Sequence, residues 1–168
     1  MIGQGFYIAV SNQLKSEVGL GHAFTFFYTR DMIPEDQPIP MLPVMVNCFY
    51  PPNQPPPARC YAFGQALRKA VESWDSDKRV AIIGSGGLSH VTLDEEVDQL
   101  TLEAIRQKDI ELIAALPAER LIRGTSENRN WIVVAGAMEP CEFNLVDYIP
   151  AYRNTAAMGH GLSFAYWK

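Results

Sequence analysis

Apolar positions along this chain change their period several times, and each change marks the border of an expected element. Val44-Met45-Val46-Asn47-Cys48-Phe49 is an almost continuous apolar run closed in by prolines on both sides. That pattern predicts a strand in the interior of a sheet, flanked by extended connections, because proline ends helices and is tolerated beside strands. From Tyr61 the period becomes helical: Phe63, Ala66, Leu67, Ala70, Val71 and Trp74 follow the i, i+3, i+4, i+7 rule, and Asp75-Ser76-Asp77 ends the run. Arg79-Val80-Ala81-Ile82-Ile83 then reads as a short buried strand, followed by the glycine turn Gly84-Ser85-Gly86-Gly87-Leu88-Ser89-His90. Thr92-Leu93-Asp94-Glu95 has the form of a capping box, and Leu93, Val97, Leu100, Ala104 and Ile105 share one face of the helix it would start. Further on, 110–116 and 118–122 are expected to be helical with a break at Pro117. Gly124-Thr125-Ser126-Glu127 signals a helix start ahead of Trp131–Ala135, a run whose β-rich composition also suits a strand. The tail returns to strand character at 145–149 and 162–167. Strand, helix, strand, glycine turn and helix in succession predict an α/β fold, with a central mixed or mostly parallel sheet flanked by helices.

Composition narrows the class without changing that picture. A chain of 168 residues with 48% hydrophobic and 20% charged residues suits one globular domain over 1–168. Nine of the 12 prolines fall between Pro34 and Pro57, which marks a loop around a strand rather than a linker. Fourteen basic against 19 acidic residues, a net charge of −5, and no basic run argue against a nucleic-acid partner. No apolar run approaches the roughly 20 residues of a membrane span, and no basic segment with an apolar core opens the chain, so a soluble, cytoplasmic protein without membrane contact is expected. Cys48, Cys60 and Cys141 are odd in number and lack Cys-x-x-Cys spacing, which predicts reduced, mostly buried thiols.

The candidate chemistry lies around the glycine turn. Gly84-Ser85-Gly86-Gly87 misses the dinucleotide fingerprint, since position 89 is Ser, and no Walker lysine follows. A turn at the carboxyl end of a strand is nevertheless where open α/β sheets place their ligands, and His90 follows it directly. A hydrolase built on Ser89 fits poorly, because Gly-x-Ser-x-Gly is absent. His22, in Gly19-Leu20-Gly21-His22, and His160, in Met158-Gly159-His160-Gly161, also sit among glycines. For His160 a plain turn position is preferred, and no pair of histidines has local metal-ligand spacing. Glu127, at a helix start, is either a stabiliser of the helix dipole or a carboxylate held ionised for a divalent metal.

Taken as a set, Leu42–Asn47, Tyr50-Pro51-Pro52, Arg59–Gly64, Ala70–Ser73, Gly84–His90, Gly124–Trp131 and Tyr148–Ala156 resemble the class III extradiol ring-cleavage dioxygenases. The resemblance covers most of the chain, and Gly-Ser-Gly-Gly-Leu-Ser-His is its most specific part. It implies that His90 is the catalytic acid/base beside an iron-bound substrate and that His22 is a second active-site histidine. Ser89 and Asn47 are then expected to bind substrate. Glu127, four residues before Trp131, matches the carboxylate of a two-His-one-Glu iron site, with Glu139 and Glu142 as alternatives. The two histidine ligands belong to an N-terminal portion that this chain does not match, so it is expected to be the C-terminal part of such an enzyme.

The implied activity is cleavage of a catechol-type aromatic ring by Fe(II) and O₂. The implied partners are that substrate, a complementary N-terminal segment or subunit, and further copies in an oligomer. Arg59, Asn47 and Arg153 are candidates to meet a substrate carboxylate. A non-catalytic binding or interaction protein on the same scaffold, unable to hold iron, is the alternative.

Overall fold

The computed structural model describes residues 2–12, 25, 32–34 and 36–168, and no helix among them is long and apolar enough to cross a membrane. The chain divides into two compact units, Met1–Phe6 with Asn47–Lys168, and Tyr7–Val46. The described part of the second unit contains no strand, and Gln37 N–H closes a turn on the Pro34 carbonyl at 3.0 Å.

Four helices build the first unit: α1 Pro57–Glu72, α2 Glu95–Gln107, α3 Ile110–Ala114 and α4 Asn128–Ala137. α1 begins four residues earlier than its apolar period suggests, because Pro57 at the first turn needs no N–H partner and has its φ already set for a helix. Its buried face is also not the one expected. Cys60, Tyr61, Gly64 and Ala66 turn inward while Trp74 lies beyond the helix, 54% exposed. The cause is backbone-to-backbone approach: a Cβ on Gly64 would lie 2.0 Å from the Val133 carbonyl oxygen, and one on Gly136 would lie 2.1 Å from that of Tyr61. Two glycines thus let α1 and α4 touch main chain to main chain. Around this contact α4 is buried on nearly every side, through Trp131, Ile132, Val133, Val134 and Ala135, which settles the helix-or-strand choice for that run in favour of helix.

α2 is capped by Asp94, whose carboxylate accepts the Val97 N–H at 3.2 Å, and not by Thr92 as the capping-box pattern predicted. Thr92 is instead taken up by a strand. Glu95, Glu96 and Asp98 occupy its first turn, and Arg106 its last, each of a sign that suits the helix dipole. Val97, Leu102, Ala104 and Ile105 face the core, whereas Leu100 is 46% exposed. Asp109 caps α3 by accepting the N–H groups of Glu111 and Leu112.

The sheet differs most from expectation. It has three strands, β1 His90–Thr92, β2 Phe143–Tyr152 and β3 Met158–Trp167, in the order β1-β3-β2, and both pairings are antiparallel rather than parallel. The chain at 44–49 and at 79–83 forms no ladder. Val44, Val80 and Ile83 are 44%, 47% and 61% exposed, so these runs have the composition of buried strands without a neighbouring strand to pair with among the described residues. The fold of the described residues is therefore mixed α/β, with a small antiparallel sheet beside a helical core.

Candidate active site

The glycine turn is pinned on two sides. Trp131 of α4 donates its indole N–H to the Gly86 carbonyl at 3.0 Å, and the Asn130 amide donates to that of Ser85 at 3.3 Å. On the other side Leu88 N–H reaches the Gly161 carbonyl at 3.0 Å, and Gly161 N–H returns to that of Ser89 at 2.7 Å. Gly86 has φ +87, in the left-handed region where glycine is favoured. A Cβ at Gly86 would also lie 2.3 Å from Oε2 of Glu127, so a larger residue would push that carboxylate aside.

Glu127 ends a 3-10 turn, Arg123–Glu127, that leads straight into α4. The buried guanidinium of Arg129 holds this turn by donating to the carbonyls of Pro55, Leu121 and Ser126 at 2.8, 2.7 and 3.3 Å. Asn128 adds a bond to the Thr125 carbonyl at 2.9 Å. Although Glu127 stands at the helix start, its side chain makes no capping bond there. The side chain is 41% exposed, and Oε1 lies 3.7 Å from Nε2 of His90. That distance exceeds a direct hydrogen bond.

His90 is the first residue of β1 and is paired in register with His160 of β3; the two imidazoles stack at 5.6 Å with 25° between their planes. Its side chain is 21% exposed, Nδ1 is buried without a hydrogen-bond partner, and Nε2 is the nitrogen nearest Glu127. Gly124 makes room for the ring, since a Cβ there would lie 2.8 Å from His90 Cδ2. The next residue, Val91, has φ +70, a strained value for a β-branched side chain.

Ser89, expected to touch substrate, is fully buried with its hydroxyl spent internally. It donates to Oδ2 of Asp98 at 2.7 Å and accepts the Asp94 N–H at 2.9 Å. Asn47, the other expected substrate contact, is exposed and closes a local turn with Tyr50, donating to its carbonyl at 2.8 Å and accepting its N–H at 3.0 Å. His22 lies outside the described residues. Glu139 is elsewhere, accepting from Gln65 at 2.9 Å, and the Glu142 main chain pairs with Lys168. Arg59 stacks over the Phe6 ring at 3.8 Å.

His90 and Glu127 are thus brought together, joined by His160, to which sequence reasoning assigned a turn. Its role as cross-strand partner depends on a register that no local pattern announces. Asp98 and Tyr148 were also missed: Tyr148 donates to Oδ2 of Asp98 at 2.9 Å beneath the site.

A family model described as the catalytic LigB subunit of aromatic ring-opening dioxygenase matches residues 1–162. This chain belongs to that family. Among curated relatives of this LigB-family chain, gallate dioxygenase of Pseudomonas putida is 41% identical over 73 residues, covering 42% of the chain and 21% of the relative. A 2,3-dihydroxyphenylpropionate/2,3-dihydroxicinnamic acid 1,2-dioxygenase of Comamonas testosteroni is 32% identical over 90 residues, covering 54% and 26%. The matched part of the chain therefore spans about a fifth to a quarter of these relatives' lengths. No solved structure matches.

The donor set fits a divalent metal in one respect. Glu127 offers a half-exposed carboxylate engaged by no hydrogen-bond donor, in a cradle kept open by Gly86. Among the described residues no group of three or more His, Cys, Asp and Glu gathers to complete a site.

Proposed function

We propose that this LigB-family chain carries the acid/base and the carboxylate ligand of an Fe(II)-dependent extradiol dioxygenase acting on a catechol-type aromatic. The observation that carries this reading is the approach of His90 Nε2 to Glu127 Oε1 at 3.7 Å across the glycine cradle. The names of the two relatives, on gallate and on dihydroxyphenylpropionate, support a ring bearing neighbouring hydroxyls as substrate. Glu127 would hold the metal, together with two histidine ligands contributed by a complementary segment or subunit. When bound, Fe(II) supplies a Lewis-acid centre that gathers the diol beside O₂.

His90 then does the proton work at Nε2. A diol hydroxyl within hydrogen-bond reach of Nε2 would give up its proton there, and the same nitrogen would later return that proton to the ring-opened product. Imidazole suits both directions near neutral pH. Gly86 and Gly124 leave room for the Glu127 carboxylate and the His90 ring, while Trp131 and Asn130 hold the turn through the Gly86 and Ser85 carbonyls.

The test uses the complete, iron-loaded enzyme with gallate and an oxygen electrode. His90→Ala is expected to retain iron while turnover falls about 10²–10⁴-fold. Glu127→Gln is expected to lose iron and O₂ uptake together, with the fold of the metal-free chain intact. Iron loss in His90→Ala, or equal iron and O₂ uptake in Glu127→Gln and wild type, would overturn these roles.

A further inference from the structure

Asp98 is the only fully buried carboxylate among the described residues, and no cation pairs with it. Burying an ionisable group in this way is costly unless its hydrogen bonds are made. All three of its bonds come from neutral donors: Ser89 N–H at 2.7 Å, Ser89 O–H at 2.7 Å and the Tyr148 hydroxyl at 2.9 Å. The surroundings are shaped to admit it, since a Cβ on Gly161 would lie 2.0 Å from its Oδ2.

Two of those three bonds grip one residue, and that residue precedes His90. Ser89 is also held by the Asp94 N–H on its hydroxyl and the Gly161 N–H on its carbonyl. On the far side of His90, Val91 sits at φ +70 while 53% exposed, so its own packing does not compensate for the strain. Such a conformation persists only where the flanking structure imposes it. From these contacts we infer that Asp98 is a positioning residue for His90: by clamping the Ser89 main chain and hydroxyl it fixes the strained strand entry that aims the imidazole at Glu127. Asp98 itself meets neither substrate nor metal.

The inference rests on the acid/base reading of His90 only for its catalytic consequence, and the experiment separates the two. In the metal-free chain, proton NMR of the His90 and His160 imidazoles reports their stacked contact directly. Asp98→Asn is expected to weaken the cross-peaks between the rings while resonances of Ile132 and Leu102 stay in place. In the complete enzyme, the same variant is expected to lower kcat per bound iron roughly 10–100-fold, the usual cost of a small misplacement, with KM and iron content unchanged. A merely structural role would lower the folded, iron-loaded fraction and leave kcat per iron alone. Should Asp98→Asn fail to fold, Ser89→Ala keeps the main-chain bond to Asp98 and removes the hydroxyl bond, and a smaller shift in the same two readouts is expected. Unaltered imidazole cross-peaks and unaltered kcat per iron in either folded variant would overturn the inference. If instead His90→Ala leaves turnover unchanged, the catalytic reading falls, and the imidazole cross-peaks alone decide whether Asp98 positions the ring.

Discussion

Replacing Gly64 by Ala sets two effects of opposite sign against each other. Ala is the better helix former by about 1 kcal/mol, so on propensity alone the variant would be stabilised. The added Cβ, however, would lie 2.0 Å from the Val133 carbonyl oxygen and 2.7 Å from Ala137 N, both main-chain atoms that no rotamer can move aside. Reaching an ordinary 3.4 Å contact requires α4 to retreat from α1 by roughly 1.4 Å, which disturbs the buried packing of Trp131, Ile132 and Val133. Overpacking costs about 1–3 kcal/mol, and main chain on the receiving side places this case near 3. The net expectation is a loss of about 2 kcal/mol, or about 4–8 °C in Tm for a chain of this size. Urea unfolding followed by circular dichroism would measure it, as a lower midpoint with an unchanged slope. A variant as stable as wild type, or more stable, would refute the close approach of the two helices.

Two further outcomes follow from buried groups. Burial pushes the Asp98 carboxyl above its ordinary value, only partly offset by its bonds from Ser89 and Tyr148. Native Asp98 therefore binds its proton more tightly than unfolded Asp98, and its contribution to stability is fully present at low pH and lost as pH rises through the raised value. Wild type should thus gain on Asp98→Asn as pH is lowered from neutral into that window in urea titrations, and a difference independent of pH would contradict it. Burial also raises the thiols of Cys48 and Cys60, the latter to about 12, whereas Cys141 is only half-buried. A disulfide reagent at neutral pH should modify Cys141 in the native chain and the other two only on unfolding. Rapid reaction of two or more native thiols would count against this packing.

The helices at 57–72 and 95–107 were legible as helices from their apolar period, and Val97, Ala104 and Ile105 do face the core. The inward face of α1 was not legible, because the close approach at Gly64 and Gly136 sets it rather than local repetition. The runs at 44–49 and 79–83 misled because apolar composition records a demand for burial, not the presence of a pairing partner. β1 escaped notice since three residues containing a strained Val91 carry no period at all. At the site, His90 and Glu127 could be singled out by motif, and their side chains do meet. Asp98 could not, because an acid in the first turn of a helix is what the dipole favours anyway, and only the chain at 89 and 148 reveals that it is sealed in. For Ser89 the resemblance implies a substrate contact, whereas its hydroxyl bonds Asp98 and the Asp94 N–H, a direction that nothing local to a glycine turn announces.

The long hairpin contains one irregularity with reach beyond itself. Leu145 pairs with Ala165 and Asp147 with Phe164, so Val146 is an extra residue on its strand. Before it, odd-numbered residues of β2 stand opposite odd-numbered residues of β3, as Phe143 does with Trp167; after it, even-numbered ones do, as Tyr148 does with Ser163. β2 is in effect two ribbons of opposite phase spliced by a single amino acid. The outer ribbon answers only to its own alternation, but the inner one delivers the Tyr148 hydroxyl to Asp98 solely because the count has been advanced by one. Were Val146 drawn into regular pairing opposite Phe164, Tyr148 would fall opposite Leu162 instead of Ser163, its side chain would turn to the other face, and the buried acid would lose a donor. A reading frame of side chains, kept by one supernumerary valine, therefore connects the outermost strand of the sheet to the histidine at its other edge.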